Sequence, residues 1–180
     1  MKLCATKIRK VPAILLVGVV VLTEVMSAVD RVDFTIVGRD RFTVPGDWVV
    51  IANKSDKNRT IFAFQIPSPA DDKTPDSTNL TVQSYYLRDL ASRAEFDKKS
   101  SKQNPSAQDR KLVDGWDCAN FQGLQGSTSY EVWDCHRTVG EAGVYVRLAW
   151  PHLPKNPSDF DQQMQTALAD VLTSVVPSPK

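Results

Sequence analysis

The chain of 180 residues is short of the side chains from which most catalytic and metal sites are built. It has two histidines, His136 and His152, and three cysteines, Cys4, Cys118 and Cys135. A structural zinc site takes about four Cys, His or acidic ligands, and this supply does not suggest one. The eight glycines form no P-loop and no dinucleotide-binding fingerprint, and neither G-x-S-x-G nor H-E-x-x-H occurs. No apolar run reaches the roughly 20 residues of a membrane span. Basic residues are scattered, whereas nucleic acid affinity rests on dense neutralisation of phosphates. No period of solenoid length is visible. These absences argue against a nucleotide-dependent enzyme, a nucleic acid binder or a metalloprotein. No cofactor and no metal is expected.

What is present begins with an export signal. Lys2, Lys7, Arg9 and Lys10 precede a short apolar stretch at residues 11–22, "VPAILLVGVVVL", and then "TEVMSA". A basic start, a short apolar centre and small residues at the end mark a signal peptide cleaved after Ser27 or Ala28. Retention as a membrane anchor is the alternative. Cys4 precedes the apolar stretch, which argues against a lipid anchor. Residues 29–180 then form a single domain. They keep 18 of the 22 Lys/Arg and 20 of the 21 Asp/Glu, a net charge of −2. The protein is expected in the periplasm or outside the cell.

The triplet Trp-Asp-Cys appears twice, ending at Cys118 and at Cys135. An even cysteine count in an exported domain favours a disulfide. Gly126-Ser127 suits a two-residue hairpin turn with glycine first. Such a turn sets Cys118 directly opposite Cys135, in a non-hydrogen-bonded pair where the strands approach most closely. Trp116 and Trp133 fall on the same face, one diagonal to each sulfur, and can cover the bridge. A redox dithiol would show a tight C-x-x-C, which is absent.

Strands are expected at residues 32–37, 41–44, 48–52 (buried) and 59–66, with a polar turn at 53–58 and a loop at 67–79. The i+4 spacing of Tyr86, Leu90 and Ala94 predicts a helix over residues 83–98, followed by a solvated linker. The stapled hairpin takes residues 111–124 and 128–139. A strand at 143–150 turns Val144, Val146, Leu148 and Trp150 one way and Tyr145 and Arg147 the other. Asn156 and Pro157 open a last helix whose stripe is Phe160, Met164, Leu168, Val171, Leu172 and Val175. The order of elements predicts an α+β domain: an antiparallel β-sheet flanked by α-helices, with a long C-terminal helix.

The hairpin register also sets Asp117 opposite His136 on the face away from the cysteines, with Asp134 diagonal to Asp117. An Asp-oriented histidine can act as a general base or bind metal. A plain cross-strand charge pair explains the same residues. No nucleophile or third ligand is placed beside them, so no catalytic residue is assigned. Asn53, Asn58 and Asn79 begin N-x-S/T sequons, which matter only in a host that glycosylates.

The motifs "FTVPGDW" (residues 42–48), "TNLTV" (78–82) and "VYVRLAWP" (144–151), followed by a long amphipathic helix, resemble a PsbP/DcrB-like domain over roughly residues 32–176. The resemblance implies a PsbP-like antiparallel sheet with helices, used for binding and accessory roles in envelope or photosynthetic assemblies. Some such domains partner secreted bacterial effectors. The resulting expectation is a non-enzymatic exported module that binds another protein, such as an immunity or accessory partner. The alternative is a small periplasmic hydrolase or metal-dependent enzyme built on Asp117, Asp134 and His136.

Overall fold

The computed structural model describes residues 30–67, 78–88, 90–100 and 108–177. The expected leader at residues 1–28 and most of the expected loop at 67–79 lie outside them. Among the described residues nine strands and two α-helices follow one another: β1 Arg31–Thr35, β2 Arg41–Pro45, β3 Val49–Ser55, β4 Arg59–Gln65, β5 Asn79–Tyr86, α1 Leu90–Ser100, β6 Gln108–Arg110, β7 Asp117–Gln125, β8 Thr128–Val139, β9 Ala142–Pro151 and α2 Phe160–Ser174. Strands β1 and β2 form a two-stranded ribbon, and the other seven form one sheet in the order β3-β4-β5-β9-β8-β7-β6. Every pairing is antiparallel.

Alternation along the strands decides which face is the core. Phe62 and Phe64 of β4, Leu80 and Val82 of β5 and Val144, Val146, Leu148 and Trp150 of β9 all point inward and are buried. Against them lie Phe42 and Val44 of the ribbon and the expected apolar stripe of α2, all in one cluster. Burying each of these large side chains contributes about 1.5–3 kcal/mol. Phe34, Phe42, Phe62 and Phe64 meet with ring centroids 5.0–6.1 Å apart. Ribbon and helix are joined as one layer. Ser174 accepts a hydrogen bond from the Thr43 backbone at 2.9 Å, and Arg41 pairs with Val176 through two backbone bonds.

The hairpin forms in the expected register. Gln125 faces Thr128, Cys118 faces Cys135, and the two sulfurs are bonded across a Cα–Cα distance of 4.1 Å. Gly126 has φ +61°, while Ser127 stays at negative φ, as a glycine-first bend requires. Trp116 and Trp133 are buried in the same cluster as the bridge. Trp116 Nε1 also donates to the Leu172 carbonyl at 3.2 Å. The Arg137 guanidinium lies 4.8 Å over the Trp116 ring and donates to the Val175 carbonyl at 2.8 Å. The stapled hairpin is thereby fastened to the end of α2.

Several expectations are corrected. Residues 83–86 are strand, not helix, and α1 starts only at Leu90. Leu80, Val82 and Ser84 alternate inward, and β5 pairs on both sides, so period two prevails over the i+4 spacing of Tyr86, Leu90 and Ala94. Of the expected buried strand at 48–52, Trp48 is in the core but the residues after it are not buried. As β3 it forms an edge of the sheet and runs on to Ser55, with Val49, Val50 and Ile51 largely open to solvent. The linker beyond α1 ends in the edge strand β6, and the sequon residues Asn53 and Asn79 lie in strands. Asn156 does not cap α2, which starts only at Phe160; its Nδ2 donates to the Pro151 carbonyl at 2.7 Å. Asp159 takes the cap position and makes no side-chain capping bond.

Helix α1 rests on the outer sheet face through Phe96. A Cβ on Gly143 would come within 2.8–2.9 Å of the Phe96 ring, so the absence of a side chain there is what lets the helix dock. Gly143→Ala is expected to cost about 1–3 kcal/mol. Hydrogen exchange should show the loss first in the amides of α1, with β8 and α2 still protected.

Candidate functional site

The outer face of the sheet carries the polar groups. Alternation sends Tyr145 and Arg147 of β9 outward, and cross-strand pairing sets Thr81 beside Arg147 and Gln83 beside Tyr145 on β5. On the other side β8 sets Asp134 beside Arg147 and His136 beside Tyr145. Asp134 accepts two bonds from Arg147, from Nε at 2.6 Å and from Nη2 at 2.7 Å. The Asp134 side chain is 7% exposed and that of Arg147 42%. The hydrogen bond to Asp134, ahead of any opposing cost of burial, raises the Arg147 pKa above its usual value. Burial is the main cause that pushes the Tyr145 phenol well above its ordinary range, with the Asp134 charge and hydrogen bond adding to it. Tyr145 stays neutral and Arg147 charged across the physiological range.

The three residues singled out from sequence share this face, with different partners. Asp117 faces His136 as expected. Their closest approach, Nε2 to Oδ2, is 3.8 Å, longer than a hydrogen bond. Asp117 is 89% exposed while the His136 side chain is 16% exposed. Asp134 has both oxygens on Arg147, and His136 packs edge-on against Phe96 at 5.9 Å. The histidine is therefore held by ring packing and not oriented by a carboxylate. His152 lies between Glu131 at 3.5 Å and Asp161 at 3.8 Å. Trp150 Nε1 donates to the same Asp161 oxygen at 2.7 Å, and Asn120 donates to Glu131. These contacts tie the loop after β9 to the sheet and to the start of α2. Among the described residues no group of three or more His, Cys, Asp or Glu is arranged to hold a metal ion.

A cleft of about 560 Å³ opens between α1 and the outer face. Thr81, Gln83, Tyr85, Tyr145 and Arg147 floor it, and Leu87, Ser92, Glu95 and Phe96 close its side. Its volume falls within the range of about 300–1,000 Å³ usual for ligand sites. Tyr85 donates to Gln83 Oε1 at 2.7 Å, and the Arg59 guanidinium lies 5.5 Å over the Tyr85 ring. Tyr86 is hydrogen-bonded to Glu141, which raises its pKa.

Sequence reasoning turned Tyr145 and Arg147 outward but did not find their neighbours. Two signals were available. Residues 80–86 alternate as a strand, which places Thr81 and Gln83 on one face. Gly140-Glu141 is a second glycine-first bend, with Gly140 at φ +54°, and it pairs Asp134 with Arg147 by the reasoning that pairs the cysteines.

No family model matches the chain, and no curated protein matches it in sequence. Solved structures do resemble it. A crystal structure of a protein from Bacteroides thetaiotaomicron aligns with a TM-score of 0.50 at 16% identity, over 82% of this chain and 48% of that one. The chain thus spans about half the length of that protein. The Ran-binding protein Mog1p of Saccharomyces cerevisiae aligns with a TM-score of 0.46 at 9% identity, over 82% of this chain and 93% of its own. A Mog1 mutant gives the same TM-score and identity over 81% and 93%. At these identities the likeness speaks to fold alone. No helix among the described residues is long and apolar enough to cross a membrane.

Proposed function

We propose that the chain is an exported, non-enzymatic module that binds another protein, of the accessory or immunity kind that its PsbP/DcrB-like resemblance implies. It reaches the periplasm or the exterior through the leader at residues 1–28, and it uses no cofactor. The observation that carries the reading is the cleft. It is of ligand size, and two of its lining residues, Arg147 and Tyr145, are bound to the buried Asp134 beside it. Groups tied together in this way present a fixed recognition surface. A general base instead needs a lone pair within reach of a substrate proton, and Asp134 has both oxygens committed. In the enzyme reading built on Asp117, Asp134 and His136 the base is His136, and Asp117 stands 3.8 Å from it, longer than a hydrogen bond.

The test is affinity capture from the native envelope with wild type and with Thr81→Arg, which fills the floor of the cleft. Wild type is expected to recover a stoichiometric companion, and Thr81→Arg to lose it while keeping its Tm within a few degrees. His136→Ala should retain the companion. A companion that stays with Thr81→Arg removes the cleft from the proposal, and recovery of the wild-type chain alone removes the binding reading. The mature protein from the same preparation is expected to begin just after Ser27 or Ala28 by N-terminal sequencing.

A further inference from the structure

Helix α1 docks over β9 at Gly143, so the floor of the cleft on β5 continues, on the side away from the helix, onto β4 and β3. Inward Phe62 and Phe64 leave Arg59, Ile61, Ala63 and Gln65 of β4 on the outer face. The pairing of β3 sets Val49, Ala52 and Lys54 beside them, with Lys54 opposite Ile61. Arg59 is opposite Tyr85, and its guanidinium lies over that ring. Asn79, Thr81, Gln83 and Tyr85 complete this half of the outer face, which holds two cations, Lys54 and Arg59, and no carboxylate. Two more cations stand at its rim: Lys57 in the turn after β3, and Arg88, which donates to Asn58 Oδ1 in the same turn.

Among the described residues none of these four cations is in an ion pair. Of the acids at this end, Asp56 accepts the backbone N–H groups of Asn58 and Arg59 at 2.7 and 2.9 Å, and Glu141 is bonded to Tyr86. Asp89 lies outside the described residues. Within the cleft and beside it, Glu95 and Asp134 have partners of their own. The open side of the cleft is therefore positive, on a domain whose expected net charge is −2.

Four cations are few for a nucleic acid, whose affinity rests on dense neutralisation of phosphates. A bilayer favours cations that project from a convex surface. Here Arg59 stands against Tyr85 in the lining of a cleft, and Ile61 and Ala63 beside it are half-buried. Strand spacing and rise put the Lys54 and Arg59 Cα atoms roughly 8 Å apart, close to the roughly 7 Å between alternate residues of an extended chain. Carboxylates on alternate residues of one protein segment match that interval.

We propose that the partner presents an acidic segment, which runs from the cleft across β4 and sets its carboxylates on Arg59 and Lys54, with Lys57 and Arg88 at the rim. The proposal rests on the protein-binding reading above and names the chemistry that the partner brings.

The test uses the exported protein with its disulfide intact, observed by NMR amide shifts. The probes are a capped Glu-Ala-Glu-Thr-Glu-Ala peptide, the same peptide with Gln for each Glu, and vesicles of phosphatidylglycerol and phosphatidylcholine. The Glu peptide is expected to bind with a Kd on the order of 1 mM at low salt, to shift the amides of Lys54, Arg59, Ile61 and Gln83, and to weaken as salt screens it. The Gln peptide should bind at least about fivefold more weakly, the worth of one or two exposed charge pairs. Lys54→Gln combined with Arg59→Gln should abolish that preference with Tm nearly unchanged, since both side chains are exposed. Lys111→Gln, whose lysine pairs with Asp114 in the loop before β7, should keep it.

Equal affinity for the two peptides, shifts on other faces only, no binding by either, or a preference for Glu that survives the double substitution would each overturn the proposal. Sedimentation with the vesicles by a protein that ignores the Glu peptide would overturn it in favour of a membrane surface. The two readings remain separable. Failure of the peptides while wild type still captures its companion, and Thr81→Arg does not, rejects the acidic assignment alone. Failure of both experiments rejects the binding reading with it.

Discussion

Replacing Cys118 and Cys135 together by alanine is expected to destabilise the domain by about 3 kcal/mol, the loop-closure value for a bridge of this span. The cysteines are 17 positions apart. At about 2–4 °C per kcal/mol for a domain of this size, Tm should fall by roughly 6–12 °C. The bridge lies inside the core cluster, with Cys118 5% exposed and Cys135 fully buried. Alanine is therefore the right replacement, because serine would add a buried hydroxyl. The effect should stay local at first. Hydrogen exchange should rise in β7 and β6, which lie outside β8 at one side of the sheet, while β5 and β9 remain protected. Reductant should bring wild type toward the variant and leave the variant unchanged. A wild type whose Tm ignores strong reductant under denaturing-refolding cycles would mean that the bridge contributes no stability.

That hairpin was legible because the signals in residues 115–135 agree. A glycine-first turn, two cysteines at matching distance from it and a tryptophan diagonal to each sulfur all demand one register. Strand β9 and the α2 stripe were legible for a similar reason, since alternation and the 3.6-residue period extend over ten or more residues there. Residues 83–86 carry a weaker pattern. Tyr85 and Tyr86 suit either period, and only the pairing of β5 with both β4 and β9 fixes it as a strand. The apolar run at 49–51 is mute about its surroundings, because Val-Val-Ile reads alike in a sheet centre and at an edge. The neighbouring strands, which sit on one side only, make it exposed. The candidate site suffered most from this. His136 and Asp117 are neighbours in the hairpin and were visible. The partner of Asp134 comes from β9, and most of the cleft from β5 and α1, so the site depends on a strand whose sequence suits either period.

Arg147→Ala should be among the most damaging changes on the outer face. It leaves the Asp134 carboxylate, 7% exposed, without its charge partner and with two hydrogen bonds missing. Breaking such a pair from the exposed side costs about 3 kcal/mol, the lower end of the range for buried pairs, because Arg147 itself is 42% exposed. Asp134→Ala should cost less, about 1 kcal/mol, since water can take over the guanidinium that remains. Asp134→Leu combined with Arg147→Met should be close to neutral, because neither charge is then buried alone. Urea unfolding of the two alanine singles and of the Asp134→Ala, Arg147→Ala double gives the coupling, and equal losses from the two singles would contradict the asymmetry in burial. The Asp134→Leu, Arg147→Met double matters for function as well as stability. It keeps the fold but removes the guanidinium from the lining of the cleft, so a companion held there should be released without any fall in Tm. Loss of binding in that stable background would separate recognition from folding, which no single substitution at this pair can do.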